Sequence, residues 1–433
     1  MSGGVTVVGA GLAGCEAAWQ LARRGVKSTV LEMKPEHMSP AHGSTDLAEL
    51  VCSNSLRGAA LSTAPGLLKE EMRRLGSLII ACADECAVPA GGALAVDRTA
   101  FSAAVTERVR SHPLIEVRCQ RVESIPEGSV IIATGPLTDG ALAREIGKML
   151  GEPMHFFDAA APIVSFDSIN MERAYFASRY DKGTADYINC PMDKEEYLAF
   201  WRELREAEEA PVHGFEDSMV FEGCMPVEVM ARRGEDTLRY GPMKPVGLRD
   251  PRTGKRPYAV VQLRADDRSG SMFNIVGFQT HLRQPEQRRV FRMIPGLEQA
   301  EFLRYGVMHR SSFVNAPGKL DGSWRIIGRE NIMLAGQLTG VEGYIESAAS
   351  GLCAGIAMAA QVQGRPLPRF PRTTALGALA EHVSVPCGEF KPMNINFGII
   401  EPLGERIRDK RARYTAISER ALAVIEEMKR SGL

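Results

Sequence analysis

Val5-Thr-Val-Val-Gly-Ala-Gly-Leu-Ala-Gly-Cys-Glu-Ala-Ala-Trp-Gln-Leu-Ala-Arg-Arg-Gly-Val-Lys-Ser-Thr-Val-Leu-Glu32 reads as a strand, a glycine turn, a helix and a second strand. The β-branched run Val5 to Val8 suits a strand buried in a parallel sheet. Gly9, Gly11 and Gly14 follow at the spacing of the dinucleotide-binding fingerprint. Gly9 permits the tight turn, Gly11 has no Cβ to hold a pyrophosphate away, and Gly14 lets the helix lie close to the strand. Ala10, Leu12 and Ala13 are candidate cofactor contacts in the same turn. The helix, Leu12 to Arg24, ends at Gly25, and its N-terminus offers free N–H groups and a positive dipole to a phosphate. Glu32 closes the second strand eighteen residues after Gly14, where an acid is expected to hold a ribose.

Around this unit, 433 residues with 45% hydrophobic content imply two or three domains with real cores. Fifty-two Lys and Arg nearly cancel 53 Asp and Glu, so no global field draws the chain to nucleic acid or membrane, and a polyanion must be met by a local patch. Nine cysteines without a secretory leader or a long apolar span point to a reducing cytoplasm and no membrane. No Cys-x-x-Cys pair occurs, and Cys82 and Cys86, in the apolar-rich stretch Leu75–Cys86, read as helix core rather than metal ligands.

After Glu32 comes a long aperiodic loop containing Lys34, of the kind that is usually functional. Glu49-Leu-Val-Cys-Ser-Asn-Ser-Leu-Arg-Gly58 then sets Cys52 among small polar residues ahead of Arg57, a setting that favours a reactive thiol over a structural one. A helix over Pro65 to Cys86, broken near Gly76, and an Asp97-capped helix from Arg98 to Arg110 follow. Ile115 to Cys119 is a strand, and Val130 to Gly135 returns the chain to the parallel sheet, with Ala133, Thr134 and Gly135 at its ligand-facing end.

The character changes between about Met154 and Arg310, where strands around Ala160, Ala259 and Phe273 and a helix from Lys194 to Glu209 suggest an inserted mixed sheet. Within it, Phe221-Glu-Gly-Cys-Met-Pro-Val-Glu228 places Cys224 at a turn or strand end, with a buried structural role as the alternative. Basic clusters occur around Arg232, Lys244 to Arg256, Arg283 to Arg292 and Arg406 to Arg413, readable as solvated faces or as phosphate contacts for RNA. Arg329 to Glu346 is a third nucleotide-related segment, offering Gly336, Gln337, Thr339, Gly340, Gly343 and Tyr344 before an apolar helix to Gln363. Three contact segments spread over the chain argue for FAD lying across the sheet. A loop from Phe390 to Leu403 and a final helix, Lys410 to Lys429, complete the chain. The expected fold is α/β, a Rossmann-like FAD-binding domain from residues 1–153 and 311–433 with a smaller inserted α+β domain at 154–310.

Taken together, the chain resembles the FAD- and folate-dependent tRNA (uracil-5-)-methyltransferases, the TrmFO family, related to GidA-type flavoproteins. The carrying residues are Gly9-Ala-Gly-Leu-Ala-Gly14, Glu49 to Arg57, Phe221-Glu-Gly-Cys-Met-Pro226, Leu334 to Tyr344 and Lys391-Pro-Met-Asn-Ile-Asn-Phe-Gly398. The resemblance implies transfer of a one-carbon unit from 5,10-methylenetetrahydrofolate to C5 of uridine 54 in the T loop of tRNA, with flavin reduced by NADH or NADPH. It marks Cys52 and Cys224 as the reactive thiols and adds Asn54, Leu56 and Arg57 to the cofactor contacts. A thiolate must add to uracil C6 before C5 becomes nucleophilic, and no side chain supplies the hydride that turns methylene into methyl. On topological grounds Cys224 is expected at the uracil and Cys52 beside the flavin. The residues leave open the reverse, the route of the carbon and the oligomeric state. GidA-type wobble-uridine modification, a small-molecule FAD oxidoreductase and a flavin-bound RNA scaffold are the rival readings.

Overall fold

The computed structural model describes residues 4–39, 42–151, 154–159, 161–181, 183–210, 225–267, 269–306, 308–387, 390–404 and 406–433. Val5–Val8 lies in the middle of a six-stranded sheet. Ser28–Glu32 and then Ile115–Cys119 run parallel on one side of it, and Val130–Ile132 and Arg329–Leu334 parallel on the other. Arg325–Ile326 closes the sheet as an antiparallel edge. Val7, Val8, Val30, Ile131, Ile132, Met333 and Leu334 are buried, as central strands covered on both faces require. The opposite edge strand, Ile115–Cys119, carries the exposed Glu116 and Arg118, charges that discourage further pairing.

The helix after the glycine turn, Leu12–Arg23, packs against Tyr344–Val362 almost backbone to backbone. A Cβ on Gly351 would lie 2.1 Å from the Ala13 carbonyl oxygen, and one on Gly355 2.6 Å from that of Ala17. Only glycine fits at these two crossings. Tyr344–Val362 is long and apolar enough to cross a membrane, which corrects the expectation that the chain has no such span. Its apolar side chains are instead buried against the nucleotide-binding helix and sheet, from Ile345 through Ala360. The helical stretch after residue 64 breaks where expected. Ala64–Arg74 ends, Gly76 turns the chain at φ +72°, and Leu78–Glu85 follows with Cys82 buried. Glu16 reaches from the first helix to accept from Ser77 Oγ at 2.6 Å and from the Ile79 N–H at 3.0 Å, capping the third helix from outside.

A second six-stranded sheet runs in the order Tyr175–Ala177, Tyr187–Met192, Ala259–Ala265, Met272–Ile275, Ile163–Ser165, Phe302–Arg304. Every pairing in it is antiparallel, where a mixed sheet was expected. The local reason is visible between Ala259–Ala265 and Met272–Ile275, whose short connection can make a hairpin but no parallel crossover. This sheet has its own core, including Val164, Ile188, Tyr197, Phe200, Phe278 and Phe291. Lys194–Glu206 covers it, started by an Asp193–Glu196 capping box. That helix stops short of Glu209, which instead bridges to Leu282. Met154–Ala159 and Met308–Phe313 pair with each other where the chain passes from one sheet to the other and back.

Candidate active site

The carboxyl ends of Val5–Val8, Ser28–Glu32 and Val130–Ile132 open into one cleft, the position at which open α/β sheets take ligands. Gly9, Ala10, Gly11, Leu12, Ala13, Glu32, Lys34, Ala133, Thr134, Gly135, Gly336, Gln337 and Tyr344 all line it. The three fingerprint glycines divide their labour. Gly9 has φ +93°, and a Cβ on it would meet the Ala133 carbonyl oxygen at 2.7 Å. A Cβ on Gly14 would fall 1.8 Å from the Gly9 carbonyl oxygen. At Gly11, by contrast, nothing lies within 4 Å, so its open side faces the cleft. No side chain caps the helix that starts there. Open space beside uncapped N–H groups fits a pyrophosphate.

Glu32 completes the fit. One carboxylate oxygen accepts from the Ala10 N–H at 2.7 Å and the other from the Lys34 N–H at 3.0 Å. Each oxygen keeps lone-pair capacity for a ribose hydroxyl. The Lys34 ammonium turns to its own loop, donating to the carbonyls of Ser44, at 3.2 Å, and Asp46, with Glu49 Oε2 at 3.8 Å. His42 also lines the cleft, its Nδ1 2.6 Å from Ser39 Oγ. Burial first, and then Lys34, press its pKa below the ordinary value and keep it neutral. Sequence reasoning missed Gln120, Arg121 and Thr138 in the wall, although Gln120 and Arg121 directly follow a strand end that faces the ligand.

Cys52 stands at the rim of this cleft beside Tyr344, the first residue of the helix Tyr344–Val362. The Tyr344 hydroxyl oxygen accepts from the Cys52 N–H at 2.7 Å and the Ser53 N–H at 3.1 Å, and lies 2.9 Å from Cys52 Sγ. With two N–H groups directed at the oxygen, the hydroxyl proton is left for the sulfur. Burial above all, and the neighbouring Cys52, push the Tyr344 pKa far above its ordinary value, so it remains a donor. A tyrosine proton on a cysteine sulfur stabilises the thiolate by a charge-assisted hydrogen bond.

Three arginines hold the same loop from a distance. Arg98 donates to the Leu50 carbonyl at 3.0 Å, and Arg304 to the Val51 carbonyl at 2.5 Å. Arg264 donates to Ser53 Oγ and Asn54 Oδ1, each at 3.1 Å. Arg264 and Arg304 belong to the antiparallel sheet, so the second core fastens the thiol loop of the first. Asp266 is paired to Arg98 at 2.9 Å. Burial, and then Arg98, lower the Arg304 pKa, as two guanidinium groups drawn together require. None of these arginines lies in the basic clusters singled out in the sequence; in those clusters Arg252, Arg283 and Arg289 pair with Asp250, Glu208 and Glu286.

Residues 4–366 match the family model described as glucose inhibited division protein A. A methylenetetrahydrofolate–tRNA-(uracil-5-)-methyltransferase TrmFO of Acetivibrio thermocellus is 58% identical over 426 residues, 98% of each chain. Its namesake from Bacillus pumilus is 56% identical over the full length of both. The chain belongs to the TrmFO family. A solved GidA of Aquifex aeolicus superimposes with a TM-score of 0.71 at 15% identity, covering 98% of this chain and 73% of that one, which shows the shared fold.

In this TrmFO chain the other described candidates do not line the cleft. Asn54 is fully buried, donating to the carbonyls of Val96 at 3.0 Å and Ala265 at 2.9 Å. Leu56 is core. Arg57 forms an ion pair with buried Glu346, and a Cβ on Gly343 would strike that guanidinium at 2.4 Å. Thr339 caps back to the Gly336 carbonyl, and Gly340, at φ +88°, lets Phe390 pass close by. Cys224 falls outside the described residues.

Proposed function

We propose that this chain transfers the one-carbon unit of 5,10-methylenetetrahydrofolate to C5 of uridine 54 in the T loop of tRNA, giving 5-methyluridine. FAD would be held by Gly9 to Gly14, Glu32, Ala133 to Gly135, and Gly336 and Gln337, and reduced by NADH or NADPH. The observation that carries the reading is the match of relatives bearing this activity in their names over 98% or more of the chain. The geometry supports it through a reactive-thiol setting at the rim of a nucleotide cleft.

The atoms balance with one thiolate and a reductant. A cysteine thiolate adds to uracil C6, C5 bonds to the folate methylene, the C5 proton leaves, the methylene–nitrogen bond breaks to release tetrahydrofolate, and the freed methylene accepts a hydride as the thiolate departs. FAD when bound supplies that hydride, which no side chain can. Tyr344 holds its proton on Cys52 Sγ, and the Arg98, Arg264 and Arg304 contacts fix the loop that carries it. That placement supports Cys52 as the thiol beside the cofactor and Cys224 as the one that attacks uracil. The target base must leave the folded T loop to be reached.

We further read residues 1–153 and 311–433 as one nucleotide-binding domain and 154–310 as an insertion, supported by the strands that each range gives to the two sheets. A cytoplasmic enzyme acting on tRNA without a membrane is consistent with the burial of Tyr344–Val362. The test is incubation of purified protein with unmodified tRNA transcript, methylene-labelled folate and NAD(P)H. Label in T-loop uridine is the expected result. Label from S-adenosylmethionine instead, or none, overturns the proposal.

A further inference from the structure

The basic cluster near the C-terminal end is left without counter-charge. Arg252, Arg283 and Arg289 are each neutralised by an acid, but among the described residues Arg408, Lys410, Arg411 and Arg413 form no ion pair. Arg408, Lys410 and Arg411 are exposed. The other three begin with the helix Lys410–Arg430, whose first turn holds no acid. Cations at that end oppose the helix dipole, and Lys410 and Arg413, three residues apart, repel one another on one face. Asp409 already closes the helix end, accepting from the Ala412 N–H at 2.7 Å. Helix formation gains nothing from these charges, so their use lies outside it.

The cations are nonetheless held in place. Buried Ile417, Ala421, Leu422 and Ile425 fasten the same helix to the core of the parallel sheet, and Ser418 Oγ donates to the Leu61 carbonyl at 2.7 Å. Tyr414 stacks on Phe397 with ring centroids 4.1 Å apart, and Lys410 and Arg413 lie over the Tyr414 ring at 5.6 and 5.3 Å. A cation over a ring keeps its N–H groups for an anion. The stack also ties the cluster to the thiol side of the cleft. Two residues before Phe397, the Ile395 N–H donates to Glu346 Oε1 at 2.9 Å, and Asn394 donates to the Glu342 carbonyl at 2.5 Å. Glu346 is two residues along its helix from Tyr344, the partner of Cys52. Ile395 to Phe397 spans at most about 7 Å of chain. We propose that Arg408, Lys410, Arg411 and Arg413, set by the Phe397–Tyr414 stack, form the surface that takes the sugar–phosphate backbone of tRNA beside the reacting thiol. Guanidinium groups bind phosphate bidentately, and a chain of net charge -1 must meet a polyanion through such a local patch. The inference rests on the reading of the chain as a tRNA methyltransferase and adds the face on which the tRNA lies.

The experiment compares wild-type holoenzyme with a triple variant, Arg408→Gln, Lys410→Gln and Arg411→Gln, none of whose positions lines the cleft. Binding of unmodified tRNA transcript is followed by fluorescence anisotropy over a series of salt concentrations. Affinity at low salt should fall on the order of ten- to a hundred-fold, and the plot of log K against log salt should become shallower by about 3, one for each cation removed. In methyl transfer the KM for tRNA should rise, while kcat at saturating tRNA and the flavin content stay as in wild type. The unfolding temperature should hold or increase, because the removed charges opposed the helix dipole; a purely structural role would lower it. Arg408→Lys with Arg411→Lys keeps the charge and should keep the wild-type salt slope. Arg411→Gln alone serves if the triple variant fails to fold, with a slope shallower by about 1. Wild-type affinity and slope in the neutralised protein overturn the patch and leave the methyltransferase reading standing. Weakened binding to phosphatidylglycerol vesicles with tRNA affinity intact also overturns it, in favour of a membrane surface. A wild-type holoenzyme that labels no tRNA overturns the reading beneath it, and the patch with it.

Discussion

The nucleotide cleft and the Cys52 loop are adjacent in space but built by opposite means. The cleft is local: Gly9, Gly11, Gly14 and Glu32 are within one strand–helix–strand unit, and backbone geometry decides each of them. The thiol loop is assembled from afar, with Arg98, Arg264, Arg304 and Tyr344 brought from separate elements to residues 50–54. Damage to the first should therefore remove the cofactor, whereas damage to the second should spare the cofactor and remove the chemistry.

The largest effect belongs to the glycine turn. Gly14→Ala puts a Cβ 1.8 Å from a backbone oxygen, a clash that neither strand nor helix can relieve cheaply. It should cost about 3 kcal/mol or more of stability and yield protein without bound flavin, read from thermal unfolding and flavin absorbance. Gly11→Ala is the matched control. It meets nothing in the protein, so its unfolding temperature should stay near that of wild type while flavin affinity falls. Equal loss of stability in both would break the division between a glycine kept for the fold and one kept for the ligand.

Next in size is Arg304→Met. It removes the guanidinium from the Val51 carbonyl and substitutes no residue that lines the cleft. Methyl transfer should fall on the order of ten- to a hundred-fold, with flavin content unchanged. Alkylation of Cys52 by iodoacetamide, mapped by mass spectrometry, should slow as the nearby positive charge is lost. Flavin loss in this variant would show that the two regions are not separable. Tyr344→Phe should have a smaller effect. It leaves the Cys52 and Ser53 N–H groups without their acceptor, at about 1–3 kcal/mol for each that water does not reach, and takes the proton from Sγ. Methyl transfer should drop more than flavin affinity, because the ring that lines the cleft remains.

This difference in construction also decides what could be read from the sequence. The parallel sheet, the helices around Gly76 and after Asp97, and the glycine fingerprint follow from short-range periodicity and turn chemistry, and Val5–Val8, Ile115–Cys119 and Arg98–Ser111 appear where expected. The arginines of the thiol loop carry no local signal. Arg264 looks like any polar position of a strand, and Arg98 like an ordinary first helical residue. Strands of the second sheet around Ala259 and Phe273 are legible, but not their antiparallel pairing, since alternation within a strand does not name the neighbour. Cys52 could be singled out by its polar surroundings, whereas its hydrogen bond to Tyr344 joins residues 292 positions apart and needs the fold.

The smallest expected effect on activity tests whether every long-range contact serves chemistry. Glu71, on the helix Ala64–Arg74, accepts from the N–H groups of Ala375 at 2.7 Å and Leu376 at 2.9 Å, and so caps the helix Ala375–Ser384. Burial raises its pKa to about 8 despite those bonds. A carboxyl whose folded pKa exceeds its unfolded one binds more protons in the native state, so its contribution to stability is full below the unfolded value, near pH 4.3 in model compounds, and declines until pH passes about 8. Glu71→Gln holds the neutral form at all pH and still offers one acceptor oxygen. Its stability should thus lack the decline between those limits, measured by urea unfolding at several pH values, while methyl transfer at neutral pH stays within about two-fold of wild type, since Glu71 does not line the cleft. A large loss of activity without loss of stability would mean that the helix at 375–384 reports to the thiol loop. The contrast between the two regions would then have to be redrawn around that helix.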